Sequence, residues 1–372
     1  MSPTSSRGGG CDDPAPGKAL VAERNQALPV LSLLLLMSVG CSTAPQSDAP
    51  ARKRAERHAP TKVASLAEVT KQVKALADSS VELKQTPGVI ALVRMGDNVR
   101  VVTAGVANIE RKQPPTAAHR FPIASITKSM VAAVVMQLVQ DRELSLDDTV
   151  EDWLPGVLRS GQKITVEHLL SHRSGLPEYL ADEGVSEAFR SGPLQPREFV
   201  RLIAAQLLEF EPGTASAYSN TNYIVLGLII EAVTGDTLAA NLESRIFQPS
   251  GMSASSLGPD PTSPGPMIHG YSRGKDVTRG RIVEHGWADG GVVSTVEDVS
   301  RFYRALFSGR IVQPDLVKEM TSDLSTIEAF AYGLGIANDR HNAVWHVGTQ
   351  DVNPATSPTP GRLTRWNAKW SS

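Results

Sequence analysis

The chain is 372 residues long, 41% hydrophobic and 20% charged, with a formal net charge of −2 at pH 7. That composition suits a globular fold with a sizeable core, and a near-neutral balance without a long basic run argues against nucleic acid as the main partner. Its two cysteines, Cys11 and Cys41, both precede the globular part, so neither a disulfide framework nor a cysteine metal site is available to it.

Residues 1–27 are polar and rich in Gly and Pro, and an apolar block follows, ending at Ser38-Val-Gly-Cys41. A membrane-spanning helix needs about 20 apolar residues, and this shorter run suits the apolar region of an export signal. The ending resembles a bacterial lipoprotein signal in which Cys41 is lipidated, although Ser38 stands where such signals carry an aliphatic residue. A plain N-terminal anchor or ordinary signal cleavage are the alternatives. Residues 1–41 therefore read as an export segment, the expected location is the bacterial cell envelope, and the expected membrane contact is a lipid on Cys41. Residues 42–62 read as a flexible, mixed-charge tether, and 63–350 as one domain.

Leu66 to Leu83 read as an amphipathic helix with Val69, Val73, Leu76 and Val81 on its apolar side. Gly88–Met95 and Val99–Gly105 flank Gly96-Asp97-Asn98, which signals a hairpin. Phe121-Pro-Ile-Ala-Ser125-Ile-Thr-Lys128 then leads into an apolar run to Gln140 whose only charge is Lys128. A helix apolar on nearly every face belongs in a core, and Pro122 cannot sit in its interior, so the helix begins near Ser125. Ser125 and Lys128 share its first turn. A serine there lies at the positive end of the helix dipole, where a developing oxyanion is stabilised, and the lysine is a candidate acceptor for its proton. The bland reading is a capping serine followed by a lysine that snorkels to solvent. A second S-x-x-K, at Ser272 to Lys275, sits between glycines with no apolar run after it and reads as a chance match.

From about 141 to 285 the chain is mostly helical. Ile164 to Gly175 is a short helix with Thr165 as its cap, and Pro196–Phe210 and Asn222–Thr234 are further helices. The Gly- and Pro-rich stretch 258–281 reads as a loop, and Thr295–Phe307 as helix. Ala329 to Ala337 and Ala343 to Thr349 read as strands joined by a polar turn.

Two stretches would complete a site. Tyr218-Ser-Asn220 precedes the apolar 222–234 helix, where a phenol can relay protons and an amide can bind a substrate carbonyl. His346-Val-Gly348-Thr349 ends a strand, where His346 can polarise the site and Gly348 permits close approach of a substrate. A packed tyrosine, a capping asparagine and an ordinary strand histidine are the alternatives.

Taken in this order, Ser125-x-x-Lys128, Tyr218-x-Asn220 and His346-x-Gly348 resemble the motif set of the serine penicillin-recognising enzymes. That group includes D-Ala-D-Ala carboxypeptidases, class C β-lactamases, and related esterases and D-aminopeptidases. Leu170 to Leu176, Glu211 to Thr214 and Gly290 to Thr295 look like the family too, and the resemblance runs from about 64 to 350. It implies an α+β fold, an antiparallel sheet flanked by helices with an inserted helical lobe at about 141–285. It also implies acyl transfer through Ser125, assisted by Lys128 and Tyr218, with His346 standing where relatives carry a lysine. Asn220 would hold the substrate amide, and the backbone amides of Ser125 and Thr349 would form the oxyanion hole. The expected partner is a small-molecule or peptide substrate (a peptidoglycan stem peptide, a β-lactam or an ester), and no cofactor or metal is implied.

The chain departs from the family after Gln350. Residues 351–372 contain Pro354, Pro358 and Pro360 and no strand or helix period, so they read as a disordered, atypical tail. The expectation is a sheet lacking its last strands and closing helix, with the 343–349 strand unpartnered. The non-enzyme alternative is accordingly a degenerate, inactive surface lipoprotein, and a small-ester hydrolase of the same fold is a further one. His168 and His172 have the i,i+4 spacing of zinc ligands, but no third ligand is evident near them. The one G-x-S-x-G, Gly270 to Gly274, lies within the Gly- and Pro-rich 258–281 loop rather than between a strand and a helix, which argues against a lipase-type nucleophile elbow.

Overall fold

A computed structural model describes residues 64–372 apart from 192–194, 205, 259–261, 263–264, 273, 279–286, 328–329, 340–343, 347–366 and 370–372. The chain divides into two units, Met1–Thr61 and Lys62–Ser372. The export segment, Cys41 and most of the tether belong to the first, which lies outside the described residues.

Within the second unit, Ser65 accepts the Glu68 amide while the Glu68 carboxylate takes the Ser65 amide, and this reciprocal cap starts the helix Leu66–Glu82. The helix packs on a hairpin of strands Gly88–Met95 and Asn98–Gly105, in register from Gly88↔Gly105 to Met95↔Asn98. Gly96, at φ 59°, supplies the left-handed turn between them. Ala77, Val89, Val102 and Ala104 form a small core here, with Val73 and Val81 at its edge. Leu76 does not join it and is 70% exposed. The buried stripe runs Val73, Ala77, Val81 at four-residue steps, and Leu76 falls about 100° off that line.

The larger core surrounds the helix Ile126–Gln140, in which every residue from Thr127 to Leu138 is buried. It packs against the helix Thr221–Thr234, itself buried from Thr221 to Ile230. Gly335 touches both. A Cβ there would lie 2.2 Å from Ala132 Cβ and 3.2 Å from the Tyr223 hydroxyl, at a φ of +82°. Overpacking and the left-handed backbone add, so Gly335→Ala should destabilise the fold by about 3 kcal/mol, read from denaturant midpoints. An unchanged midpoint would mean that this contact does not exist in solution.

The described strands form four antiparallel sheets. In the largest, Ser325–Ile327, Phe330–Tyr332, Ala337–Asp339, Val344–His346 and Asn367–Lys369 lie side by side in that order. The single strand expected over 329–337 is two, because Gly333 and the positive-φ Gly335 break it. A Cβ on Gly333 would meet the Met320 carbonyl at 2.2 Å. The 343–349 strand was expected to lack a partner, but Val344–His346 pairs on both sides, with Trp345 opposite Asn338 and Ala368. Elsewhere the Pro196 helix stops at Ala204, short of Phe210, and the 258–281 stretch contains a hairpin of Tyr271–Ser272 and Lys275–Asp276. Among the described residues no single helix is long and apolar enough to cross a membrane. The mix of helices and antiparallel sheet agrees with the α+β class expected from sequence.

Candidate active site

The short strand Phe121–Pro122 pairs with Val292–Ser294, and the Ile123 amide donates to the Val292 carbonyl at 2.9 Å, which anchors the approach to the serine. Ala124 then takes φ +44°, a conformation costing a non-glycine residue roughly 1–2 kcal/mol. The first turn is tight: the amides of Ile126, Thr127 and Lys128 donate to the carbonyls of Ile123, Ala124 and Ser125 at 3.1, 2.9 and 3.1 Å. Among the described residues, no acceptor takes the Ser125 amide itself.

Neither half of the bland sequence reading survives. Ser125 stands at the cap position but its side chain makes no capping bond. Lys128 does not snorkel; it is 1% exposed. Its Nζ donates to Ser125 Oγ at 3.2 Å, to Asn220 Oδ1 at 2.6 Å and to the Asp289 carbonyl at 2.6 Å. Three N–H donors of an ammonium thus meet three oxygens. Two aromatic faces flank the cation, with Nζ 5.1 Å from the Tyr218 ring centre and 5.5 Å from that of Tyr223.

Tyr218 and Asn220 arrive on the irregular segment before the Thr221–Thr234 helix. The Tyr218 hydroxyl donates to Ser125 Oγ at 2.9 Å. Asn220 occupies a cap position without capping, its side-chain oxygen being given to Lys128 instead. Its amide is held by Glu178 Oε2 at 2.6 Å, while Oε1 takes the Leu180 amide at 2.9 Å. Burial raises the Glu178 carboxyl above the usual range, against the opposing pull of those amides and of Lys128. Across the site, the Asp289 carboxylate accepts from the buried Tyr179 hydroxyl at 2.8 Å. Burial, and then the neighbouring carboxylate, hold the Tyr179 phenol well above its ordinary value, so it stays a donor. The Asp289 loop is pressed onto the Thr221–Thr234 helix at Gly227, where a Cβ would meet Trp287 and Ala288 at 2.7 Å.

The fold therefore gathers Ser125, Lys128, Tyr218 and Asn220. His346 ends the Val344–His346 strand, and its side chain lies outside the described residues, as do Gly348, Thr349 and Cys41. The zinc-like spacing of His168 and His172 is not helical, because that helix ends at Leu170 and His172 turns to φ 58°. His168 Nδ1 takes the Thr165 amide, and His172 Nδ1 takes those of Ser219 and Asn222. His172, Glu178, Tyr179 and Asp289 escaped the sequence reading as site residues. The only signal was their place in the Leu170–Leu176 and Gly290–Thr295 runs or beside them.

A half-buried serine hydroxyl between a buried lysine and a tyrosine, beside an unclaimed amide, is the equipment of serine-nucleophile acyl transfer. The Beta-lactamase family model matches residues 73–358, and the chain belongs to that family. It is 32% identical over 200 residues to esterase EstB of Burkholderia gladioli, covering 50% of this chain and 51% of the esterase. It is 30% identical over 256 residues to the D-aminopeptidase of Brucella anthropi, covering 67% of this chain and 48% of that protein. The chain thus spans about half the length of these two curated relatives. A D-stereospecific amidohydrolase from Streptomyces sp. superposes with a TM-score of 0.65 at 32% identity, over 75% of this chain and 87% of that one.

Proposed function

We propose that this chain is a serine hydrolase that forms an acyl-enzyme on D-Ala-D-Ala peptides or related amides and esters. The observation that carries the reading is the Ser125 hydroxyl, 3.2 Å from Lys128 Nζ and 2.9 Å from the Tyr218 oxygen. Lys128 first gives one proton to solvent. Ser125 Oγ then attacks the substrate carbonyl carbon, and its proton passes to the neutral Lys128 amine, directly or through the Tyr218 hydroxyl. The C–N or C–O bond then breaks, the leaving amine or alcohol takes that proton, and water hydrolyses the ester to regenerate the serine. Asn220 orients the substrate amide and the Ser125 amide supplies one oxyanion donor, while the family resemblance assigns the polarising role to His346, close substrate approach to Gly348 and the second oxyanion donor to Thr349. The D-aminopeptidase and D-stereospecific amidohydrolase relatives favour a D-residue on the acyl side.

The test is hydrolysis of matched D- and L-alanine amides, D-Ala-D-Ala peptides, p-nitrophenyl esters and a chromogenic cephalosporin, with intact mass after a fluorescent penicillin. Turnover with a D preference and an adduct of one acyl group support the reading. Turnover of esters alone makes it a small-ester hydrolase. Folded protein with neither turnover nor adduct would leave the inactive surface protein. On residues 27–41 we further propose export and lipidation at Cys41, which labelled palmitate incorporation lost in Cys41→Ala would test.

A further inference from the structure

We propose that His172 is the positioning residue of Tyr218, an inference that rests on the serine hydrolase reading above. Tyr218 works from an irregular segment and is 37% exposed, so neither helix, strand nor burial fixes its ring. Three consecutive residues of that segment are instead fastened to one histidine. The Ala217 amide donates to the His172 carbonyl at 3.1 Å. The Tyr218 ring stacks on the imidazole, centres 4.4 Å apart and planes at 29°. The Ser219 amide donates to His172 Nδ1 at 3.2 Å. No other residue among the described ones holds the segment on both sides of the tyrosine, His172 through its carbonyl at Ala217 and its ring at Ser219.

Neighbouring bonds fix the form of that imidazole. The Ser219 backbone N–H can only donate, so His172 Nδ1 is an acceptor. The Ser174 hydroxyl, which takes the Leu176 amide at 3.0 Å, donates to Asn222 Oδ1 at 2.5 Å. Asn222 must then present its NH₂ to His172 Nδ1, at 3.1 Å. With a backbone amide and a side-chain amide both pointing at it, Nδ1 is an acceptor and the ring proton sits on Nε2. Among the described residues the buried Nε2 has no hydrogen-bond partner, and the Tyr223 and Tyr332 rings lie 5.4 and 4.8 Å from the imidazole, centre to centre. A second proton would meet two donors at Nδ1. Burial and the Lys128 cation both oppose it, holding the imidazole well below its ordinary range. The ring is thus a neutral plate, and a stacked pair of this kind restricts the two torsions that aim the phenol.

His172→Asn isolates the plate. Asparagine tolerates the left-handed backbone that His172 adopts at φ 58°, and its side-chain oxygen can take the Ser219 amide. We expect kcat to fall about 10- to 100-fold with KM within about twofold, the pattern of a lost orientation effect. In a Tyr218→Phe background the same change should cost less than about twofold, because the group it aims is gone. An equal loss in both backgrounds would make His172 a plain structural residue, and wild-type kcat in His172→Asn would end the proposal. Should the wild type prove inactive on every substrate, the proposed function fails first, and nuclear magnetic resonance still decides the positioning claim. It should place the His172 proton on Nε2 and show the Tyr218 ring signal, assigned with Tyr218→Phe, shifted by stacking and moved in His172→Asn. A proton on Nδ1, or an unmoved Tyr218 signal, overturns it.

Discussion

Ser125→Ala should abolish turnover, lowering kcat by on the order of 10⁴ to 10⁶, while the melting temperature moves by no more than about 2 °C. The two halves of this result have separate causes. A serine that capped its helix would cost about 1 kcal/mol to replace. Ser125 makes no such bond, and its backbone is already helical at φ −62° and ψ −6°. Among the described residues its hydroxyl is engaged only by Lys128 and Tyr218. Deleting it therefore removes chemistry and little structure. The covalent penicillin adduct, followed by intact mass, should vanish in the same variant. Residual turnover above a thousandth of wild type would show that another nucleophile does the work, and a large drop in melting temperature would mean that the serine is structural after all.

Some of this was legible in the sequence because it depends on local pattern. The apolar run after Ser125, the apolar spacing from Leu66 to Leu83 and the Gly96-Asp97-Asn98 turn each announce their element through residue type and spacing, and the elements begin within a residue or two of the expected places. The pairing of Lys128 with Ser125 follows from one helical turn. What spacing could not give are contacts closed over long separations. The Asp289 carbonyl reaches Lys128 only because Gly227 lets the 287–291 loop approach the Thr221–Thr234 helix. His172 read as half of a helical pair because the left-handed turn after Leu170 carries no glycine to announce it. Leu76 and Ala77 differ by one position on a helix whose phase is set by the hairpin beneath it, and composition favoured the wrong one. The 329–337 strand failed for a related reason, since the carbonyl that excludes a Cβ at Gly333 belongs to Met320, a separate element.

Replacing Lys128 by methionine should cost about 10³ in kcat or more and yet leave the protein as stable as the wild type, or more so. The lysine is 1% exposed, and among the described residues no carboxylate lies within ion-pairing distance of it. Its partners are three neutral oxygens. Holding a cation in such a place carries an effective desolvation penalty of several kcal/mol. Methionine fills nearly the same volume without it. Against that gain stands the Asp289 carbonyl, which loses its donor inside the fold at about 1–3 kcal/mol, while the half-buried Asn220 side chain can turn to water at small cost. The first term is the larger, so the melting temperature should hold or rise by a few degrees even as Ser125 loses the group proposed to take and return its proton. That opposition of activity and stability at one residue is the mark of a site whose strain is kept for function. A methionine variant that melts more than about 5 °C lower would show instead that the three hydrogen bonds outweigh the buried charge, and that Lys128 ties the Ser125, Asn220 and Asp289 segments together.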